Sequence, residues 1–340
     1  MSTKKIGART VRFPNVPSVI SSACIVGKKE GQGPMSGYFD SVSDDAYFGE
    51  ATWEKAESEM QRQTLDLALS KANLPITSLE YLFAGDLLNQ CTSSSFAHRR
   101  SGLPYIGLYG ACSTMAQTLG VAASFIDSGL GDTAACITSS HFCTAERQFR
   151  TPLEYGGQRT PTAQWTVTGS GAIILGADGA GPYITHFTPG ILVDAGISDA
   201  NNMGAAMAPA AFDTLSAHFR DLNISPGYYD LILTGDLGAL GADILLDFFA
   251  RDGVDMSGRY NDCGLMIYDR QIQDVHAGGS GCGCSASVLA GKIIPGLRDG
   301  VWNRVLFAAT GAMLSSVSSQ QGESIPSICY AVSLSSQKAV

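Results

Sequence analysis

Leu79-Glu80-Tyr81-Leu82-Phe83-Ala84-Gly85-Asp86-Leu87 reads as a short apolar strand ending in Gly-Asp-Leu, and the chain writes it twice. The second copy is Tyr229-Asp230-Leu231-Ile232-Leu233-Thr234-Gly235-Asp236-Leu237, with Asp236 placed 150 positions after Asp86. An amphipathic helix precedes each copy. The first carries Ala56, Met60, Thr64, Leu67 and Ala68 on one face; the second carries Ala211, Leu215, Phe219 and Leu222. Steps of three and four are the helical period. A polar linker with a proline then joins helix to strand, Ala72-Asn73-Leu74-Pro75 in one copy and Leu222-Asn223-Ile224-Ser225-Pro226 in the other.

The correspondence continues downstream. Gly110-Ala111-Cys112-Ser113 opens a helix over Met115 to Ile126, followed by the strand Thr133 to Thr138. Gly281-Cys282-Gly283-Cys284-Ser285 opens a helix through Ile294, followed by the strand Arg304 to Thr310. An α-β-α-β order with short buried strands points to mixed or parallel sheets covered by helices. The duplicated halves, 1–180 and 181–340, are expected to pack sheet to sheet through their helices as one unit. Ligands in such folds bind near strand C-terminal ends and helix N-termini.

Cys112 lies at such a place. Unpaired N–H groups and the dipole at a helix start favour negative charge, which lowers a thiol pKa and makes a nucleophile or an anion-binding spot. The competing reading is a small residue packing a strand-helix corner, because free cysteines are commonly buried and inert.

Composition sets outer bounds. The 340 residues are 45% hydrophobic and 16% charged, enough for a large core and too apolar for a disordered chain. A net charge of −9 argues against a nucleic-acid surface. Nine cysteines, an odd count in a long chain, point to a reduced compartment. Met1 to Arg12 is basic, but Pro14, Asn15 and Pro17 interrupt any apolar stretch after it, so no signal peptide is read. No run of about 18 apolar residues occurs, so no membrane-spanning helix is expected. The expected setting is cytoplasmic, or peripheral on a membrane.

Two α/β halves with a cysteine opening a helix in the first resemble the thiolase and condensing-enzyme superfamily. Thr168-Gly169-Ser170-Gly171-Ala172-Ile173-Ile174-Leu175 looks like its Asp-Gly-Ala-Gly-Ala strand. Gly281 to Val288 looks like the Gly-Asn-Thr-Ser-Ser-Ala-Ser-Val segment of ketoacyl synthases, and Phe307 to Ala312 like their last glycine-containing strand. The resemblance implies an α/β fold layered αβαβα. Longer segments are similar to the stage V sporulation protein AD family. They are Gly31-Gln32-Gly33-Pro34, Ala84 to Gln90, Thr138-Ser139-Ser140-His141, Thr144 to Arg150, Glu154-Tyr155-Gly156-Gly157-Gln158 and Asn261 to Tyr268. That resemblance implies a protein that binds dipicolinic acid (pyridine-2,6-dicarboxylic acid) and supports its uptake into the developing spore. It also implies membrane-embedded sporulation partners, a place on the spore inner membrane, and a homodimer pairing near residues 81–90.

Condensing chemistry needs oxyanion donors and, usually, a histidine or second cysteine for proton transfer. The synthase Asn position falls on Cys282, and the His position reads Thr234-Gly235-Asp236. No histidine lies between His218 and His276. A thiolase would carry Gly-His-Pro after its second-half glycines and a cysteine in its last loop; here Cys282 and Thr310-Gly311-Ala312 stand in those places. His276 with Cys282 and Cys284 is an incomplete set for tetrahedral zinc, which takes four ligands. The expectation is a binding protein without catalytic residues, cofactor or metal, with a Cys-dependent acyltransferase as the alternative and a purely structural subunit as a third reading. The candidate ligand-binding residues are Cys112, Ser113, Ser140, His141, Asp236, Cys282 and Gly311. Arg147, Arg150 and Arg159 are placed in a long loop between Phe142 and Gln164, and Arg99 and Arg100 are further candidates for a dianionic ligand.

Overall fold

The computed structural model describes residues 4–149 and 158–338; Arg150 and the run Glu154-Tyr155-Gly156-Gly157 lie outside the described residues. Ten strands form the main path: β1 (Ser18–Gly27), β2 (Tyr81–Gly85), β3 (Tyr105–Gly107), β4 (Thr133–Ser140), β5 (Gly169–Gly176), β6 (Tyr183–Pro189), β7 (Leu231–Thr234), β8 (Tyr260–Asp262), β9 (Arg304–Ala312) and β10 (Ser327–Ser335). Their order is β3-β2-β4-β5-β1 and then β6-β10-β9-β7-β8. Counted from its outer edge, each set has the same sense: parallel through three strands, antiparallel through the rest. The sets meet at one residue pair, Tyr183 with Ser18. Both Gly-Asp-Leu segments sit at the C-terminal end of equivalent strands, β2 and β7.

Seven helices place the site: α1 (Trp53–Ala72), α2 (Thr92–His98), α3 (Thr114–Asp127), α4 (Phe142–Phe149), α5 (Met203–Leu222), α6 (Gly238–Arg251) and α7 (Cys282–Val288). α1 and α5 end alike, on Asn73 and Asn223 in the left-handed region at φ 54°, a conformation that asparagine tolerates at a helix C-terminus. That shared cap is the polar linker seen in the sequence.

Strand alternation sorts side chains into layers. Val305, Phe307 and Ala309 of β9 point inward to the cluster holding Met115, Leu119 and Ala123 of α3 with Ala286 and Val288 of α7. Leu306 and Ala308 point outward to Ala211, Leu215 and Phe219 of α5 and Leu245 of α6. On the other side, Leu65, Ala68 and Leu69 of α1 cover Leu82, Ala135 and Ile174. The stack is therefore helix, sheet, central helices, sheet, helix. Each fully buried Leu or Phe contributes roughly 1.5–3 kcal/mol.

Two expectations are corrected. The segment after Phe142 is not a long loop: α4 runs to Phe149, so Arg147 is helical. The helix after Gly281 does continue through Ile294 as expected, passing through a π-helical turn at Leu289–Ile293 and ending at Arg298. On α1, Leu67 is half-buried, whereas Glu57 and Gln61 are buried beside Met60. Within the chain β2 is hydrogen-bonded on both sides, so the edge strand of the first half is β3, as β8 is of the second.

Candidate functional site

Cys112 sits in the turn between β3 and α3, on the far side of Ala111, whose φ of 50° is a strained value for a non-glycine residue. The turn is held by its own side chains. Ser113 Oγ donates to Gly110 O at 2.5 Å and Thr114 Oγ1 to Ala111 O at 2.6 Å. Gly311 of β9 packs against the Gly110 carbonyl so closely that a Cβ there would collide with it. Ser113 and Gly311 thus shape the turn from opposite halves.

Asp236 reaches the turn from the second Gly-Asp-Leu. Its Oδ2 accepts from Gly281 N at 2.8 Å and Ser280 Oγ at 3.1 Å, and its Oδ1 from Thr310 Oγ1 at 3.3 Å. Ser280 bridges this carboxyl to the thiol: the Cys112 Sγ lies 3.9 Å from Ser280 Oγ, and the Asp236 charge acts on the sulfur. Burial pushes the Asp236 carboxyl up to about 6. Burial first, and then the Asp236 charge, hold the Cys112 thiol well above the ordinary thiol range. The helix start therefore does not activate the sulfur: burial, with a carboxylate nearby, outweighs the partial charge of the dipole.

Cys282 opens α7 and shares an apolar cluster with Cys112, Leu87 and Ala145. Its thiol donates to Ser139 O at 2.9 Å. Ser139 Oγ donates in turn to Glu57 at 3.0 Å, and Thr144 Oγ1 does so at 2.7 Å. Gln61 Nε2 donates to Ser139 Oγ at 2.9 Å and to Gly85 O at 3.2 Å, while Gln61 Oε1 accepts from His98 at 3.0 Å. Asp86, the counterpart of Asp236, accepts from Leu88 N at 2.8 Å and from Ser94 N and Oγ at 2.7 and 2.6 Å. Burial, then the neighbouring Asp86, push the Glu57 carboxyl up to about 8. These polar groups were not read from the sequence. Their signal was present as Glu57, Gln61 and Thr64, polar residues at helical spacing on an apolar face.

Ser140 Oγ donates to Val167 O at 2.7 Å and accepts from Gly283 N at 3.1 Å, bracing the start of α7. His141 Nε2 donates to Ala46 O at 2.8 Å and its Nδ1 accepts from Cys143 N at 3.1 Å, so both ring nitrogens are engaged at the start of α4. Burial holds its pKa low. His276 pairs with Asp274 at 3.1 Å, and among the described residues no group of three His, Cys, Asp or Glu side chains could hold a metal ion.

A narrow cavity of about 50 Å³ opens over Cys112. Its apolar wall includes Leu87, Ala145, Phe149, Met203 and Leu314; its polar wall includes Tyr109, Glu146, Gln164, Thr166, Asn201 and Ser280. At ~10–15 Å³ per water the space takes a few waters. Of the residues named from the sequence, Cys112 lines the cavity itself. Asp236 and Cys282 contact it, Ser113 and Gly311 frame its turn, and Ser140 and His141 support the helices around it. Ser280, within a glycine-rich run read as a close-packing turn, proves to be a wall residue. Arg159 pairs with the wall residue Glu146 at 3.7 Å and lies over the Trp165 ring at 4.8 Å. Arg147 pairs instead with Glu54, and Arg99 and Arg100 line a different groove.

The fold is shared with solved condensing enzymes. The 3-oxoacyl-[acyl-carrier-protein] synthase III of Aquifex aeolicus VF5 matches with a TM-score of 0.58 at 12% identity, over 94% of this chain and 99% of that one. A variant form of Xanthomonas campestris OleA matches with a TM-score of 0.60 at 14% identity, over 95% and 99%. Identities this low establish a thiolase-like fold and nothing about activity. The chain is also 44% identical over 329 residues to stage V sporulation protein AD of Bacillus subtilis (strain 168), covering 97% of each protein. The model of the family described as stage V sporulation protein AD matches residues 7–335. With the duplicated thiolase-like halves and the buried thiol–carboxyl pair goes a family assignment: the chain belongs to the stage V sporulation protein AD family.

Proposed function

We propose that this sporulation protein is a non-catalytic binder of dipicolinic acid, with its site in the cavity over Cys112, and that it supports movement of that acid into the developing spore. The observation that carries this reading is the thiol–carboxyl pair. A condensing cysteine needs a base to take its proton and a polarised environment to hold the thiolate. Here the thiol is fully buried beside Ser280 Oγ, the nearby Asp236 charge further opposes thiolate formation, and no histidine lines the cavity among the described residues.

The chemistry of the lining suits a flat aromatic acid, and the space of about 50 Å³ must widen to admit one. Leu87, Ala145 and Phe149 face a ring, and Thr166 and Asn201 offer O–H and N–H donors to its carboxylates. Cys112 forms the floor with Asp236 and Cys282 beneath it; Ser113, Gly311, Ser140 and His141 hold the walls in place. Partners on this reading are membrane-embedded sporulation proteins. No helix among the described residues is long and apolar enough to cross a membrane, so attachment to the spore inner membrane would come through them. A homodimer would pair along the free β3 edge, where Tyr105 is exposed.

Calorimetric titration of the purified protein with dipicolinate, against benzoate, tests the reading. Saturable heat with dipicolinate alone supports it, and its loss when a bulky Cys112→Phe substitution fills the floor would locate binding in the cavity. No heat and no competition overturns it. Incubation with acyl-CoA of several chain lengths tests the acyltransferase alternative: a Cys112-dependent mass adduct would replace binding with chemistry.

A further inference from the structure

A second cavity lies away from Cys112, between α1 and α2, and is far larger at about 510 Å³. Its charges do not cancel. On the α1 wall Glu59 is held by Arg62 at 2.5 Å, and Glu54 is held by Arg147. On the α2 wall Arg99 and Arg100 carry no ion pair among the described residues, and Lys55 carries none either. Arg62 also pairs with Asp66 at 2.5 Å, and the lining as a whole sets Lys55, Arg62, Arg99 and Arg100 against Glu50, Glu54 and Glu59, a local excess of one positive charge on a chain whose net charge is −9. Between them stands Phe96, 56% exposed, with the Arg99 guanidinium 4.9 Å from its ring.

An exposed phenyl ring under a guanidinium, flanked by a second arginine, is an unusual surface for a protein with this charge. A lone guanidinium is satisfied by water. A ring and two forks around a cavity match a chain segment that brings carboxylates for the forks and an aromatic side chain for the stack. The volume is larger than a single small acid fills and open to solvent along the helices, as a peptide-binding groove is. We propose that this groove is a docking site for an acidic, aromatic-bearing segment of a protein partner, with Arg99 and Arg100 taking its carboxylates and Phe96 its ring. This site is independent of the cavity over Cys112.

Fluorescence anisotropy with a labelled peptide, acetyl-Glu-Glu-Phe-Glu-Glu-amide, on the full chain tests it, with Lys-Lys-Phe-Lys-Lys as control. Binding of the acidic peptide alone is expected, weakening at least tenfold in Arg99→Glu/Arg100→Glu and several-fold in Phe96→Ser, and falling with added salt. Both variants must keep the wild-type melting temperature; the milder pair Arg99→Gln/Arg100→Gln, expected to show an intermediate loss, stands in if the charge reversal does not. No binding at millimolar peptide, or equal binding by the variants, overturns the proposal. So does conversion of a wild-type dimer to monomer by the charge reversal, which would make the groove a contact between copies. Binding to phosphatidylglycerol vesicles in place of the peptide would make it a membrane surface.

Discussion

The Cys112 sulfur keeps its proton because it is buried, and because the Asp236 carboxyl nearby opposes a second negative charge. Asp236 accepts from Gly281, Ser280 and Thr310, so its charge is fixed in place by the second half of the chain, close to a thiol from the first. Alkylation should reveal this directly. Iodoacetamide at pH 7.5 is expected to modify Cys143, the half-buried thiol, well before Cys112, as peptide mass mapping would show. Rapid labelling of Cys112 would contradict a protonated thiol. The same pair makes ligand affinity depend on pH. With a pKa raised to about 6, Asp236 is ionised at pH 7.5 and opposes a dianion; at pH 5 it is neutral. Dipicolinate affinity should rise roughly tenfold between those values, about 1.4 kcal/mol, and calorimetry on Asp236→Asn should find that dependence flattened. In the sequence Cys112 and Asp236 belong to separate motifs. Nothing local shows that the carboxyl of one half closes on the thiol of the other, because 124 positions separate them in the chain and only the packing of α3 against β9 and α7 joins them.

At the scale of elements, the turn before α3 is held from outside. Gly311 lets β9 run against the Gly110 carbonyl and Ser113. Gly311→Ala should cost on the order of 1–3 kcal/mol in urea unfolding, the range for overpacking a tight interior. It should also weaken dipicolinate binding, because the Cys112 turn must shift to admit a methyl group. An unchanged midpoint and affinity would mean that the contact relaxes freely. The α1 helix illustrates the limits of periodicity. Ala56, Met60, Thr64 and Ala68 fall on its buried face as spacing predicts, yet Glu57 and Gln61 are buried there too. Period alone assigns such residues to solvent. What keeps them inside is a set of partners from β4, α2 and α4 that no local window contains.

For the molecule as a whole, buried titratable groups set the pH range of stability. Burial raises Glu57 to about 8, Asp262 to about 7 and Asp236 to about 6. A carboxyl raised in the folded state stabilises fully below its unfolded pKa and loses that contribution as pH climbs through the folded value. Burial lowers His98 to about 4, His186 to about 4 and His218 to about 3. The unfolded chain takes up those protons as pH falls below ~6.5, so these groups remove stability on the acid side. The two sets oppose each other below pH ~6.5, and above it the carboxyls act without that opposition. The melting temperature should therefore fall between pH 6.5 and 8.5, by a stability loss on the order of 1–3 kcal/mol, and Glu57→Gln should flatten the slope. A rising melting temperature over that interval would mean that Glu57 and Asp262 are ionised in the folded protein.

The duplicated Gly-Asp-Leu strands, their helices and their asparagine-capped linkers were determined by the sequence alone, because strand and helix periods and turn chemistry are local properties. The family resemblance was legible for the same reason, in long uninterrupted segments. The tertiary structure decided the chemistry. Whether a cysteine at a helix start is a nucleophile depends on which charge faces it, and that charge, Asp236, comes from the other half of the chain. Burial then sets the protonation of both groups, and burial belongs to the assembled layers rather than to any stretch of residues.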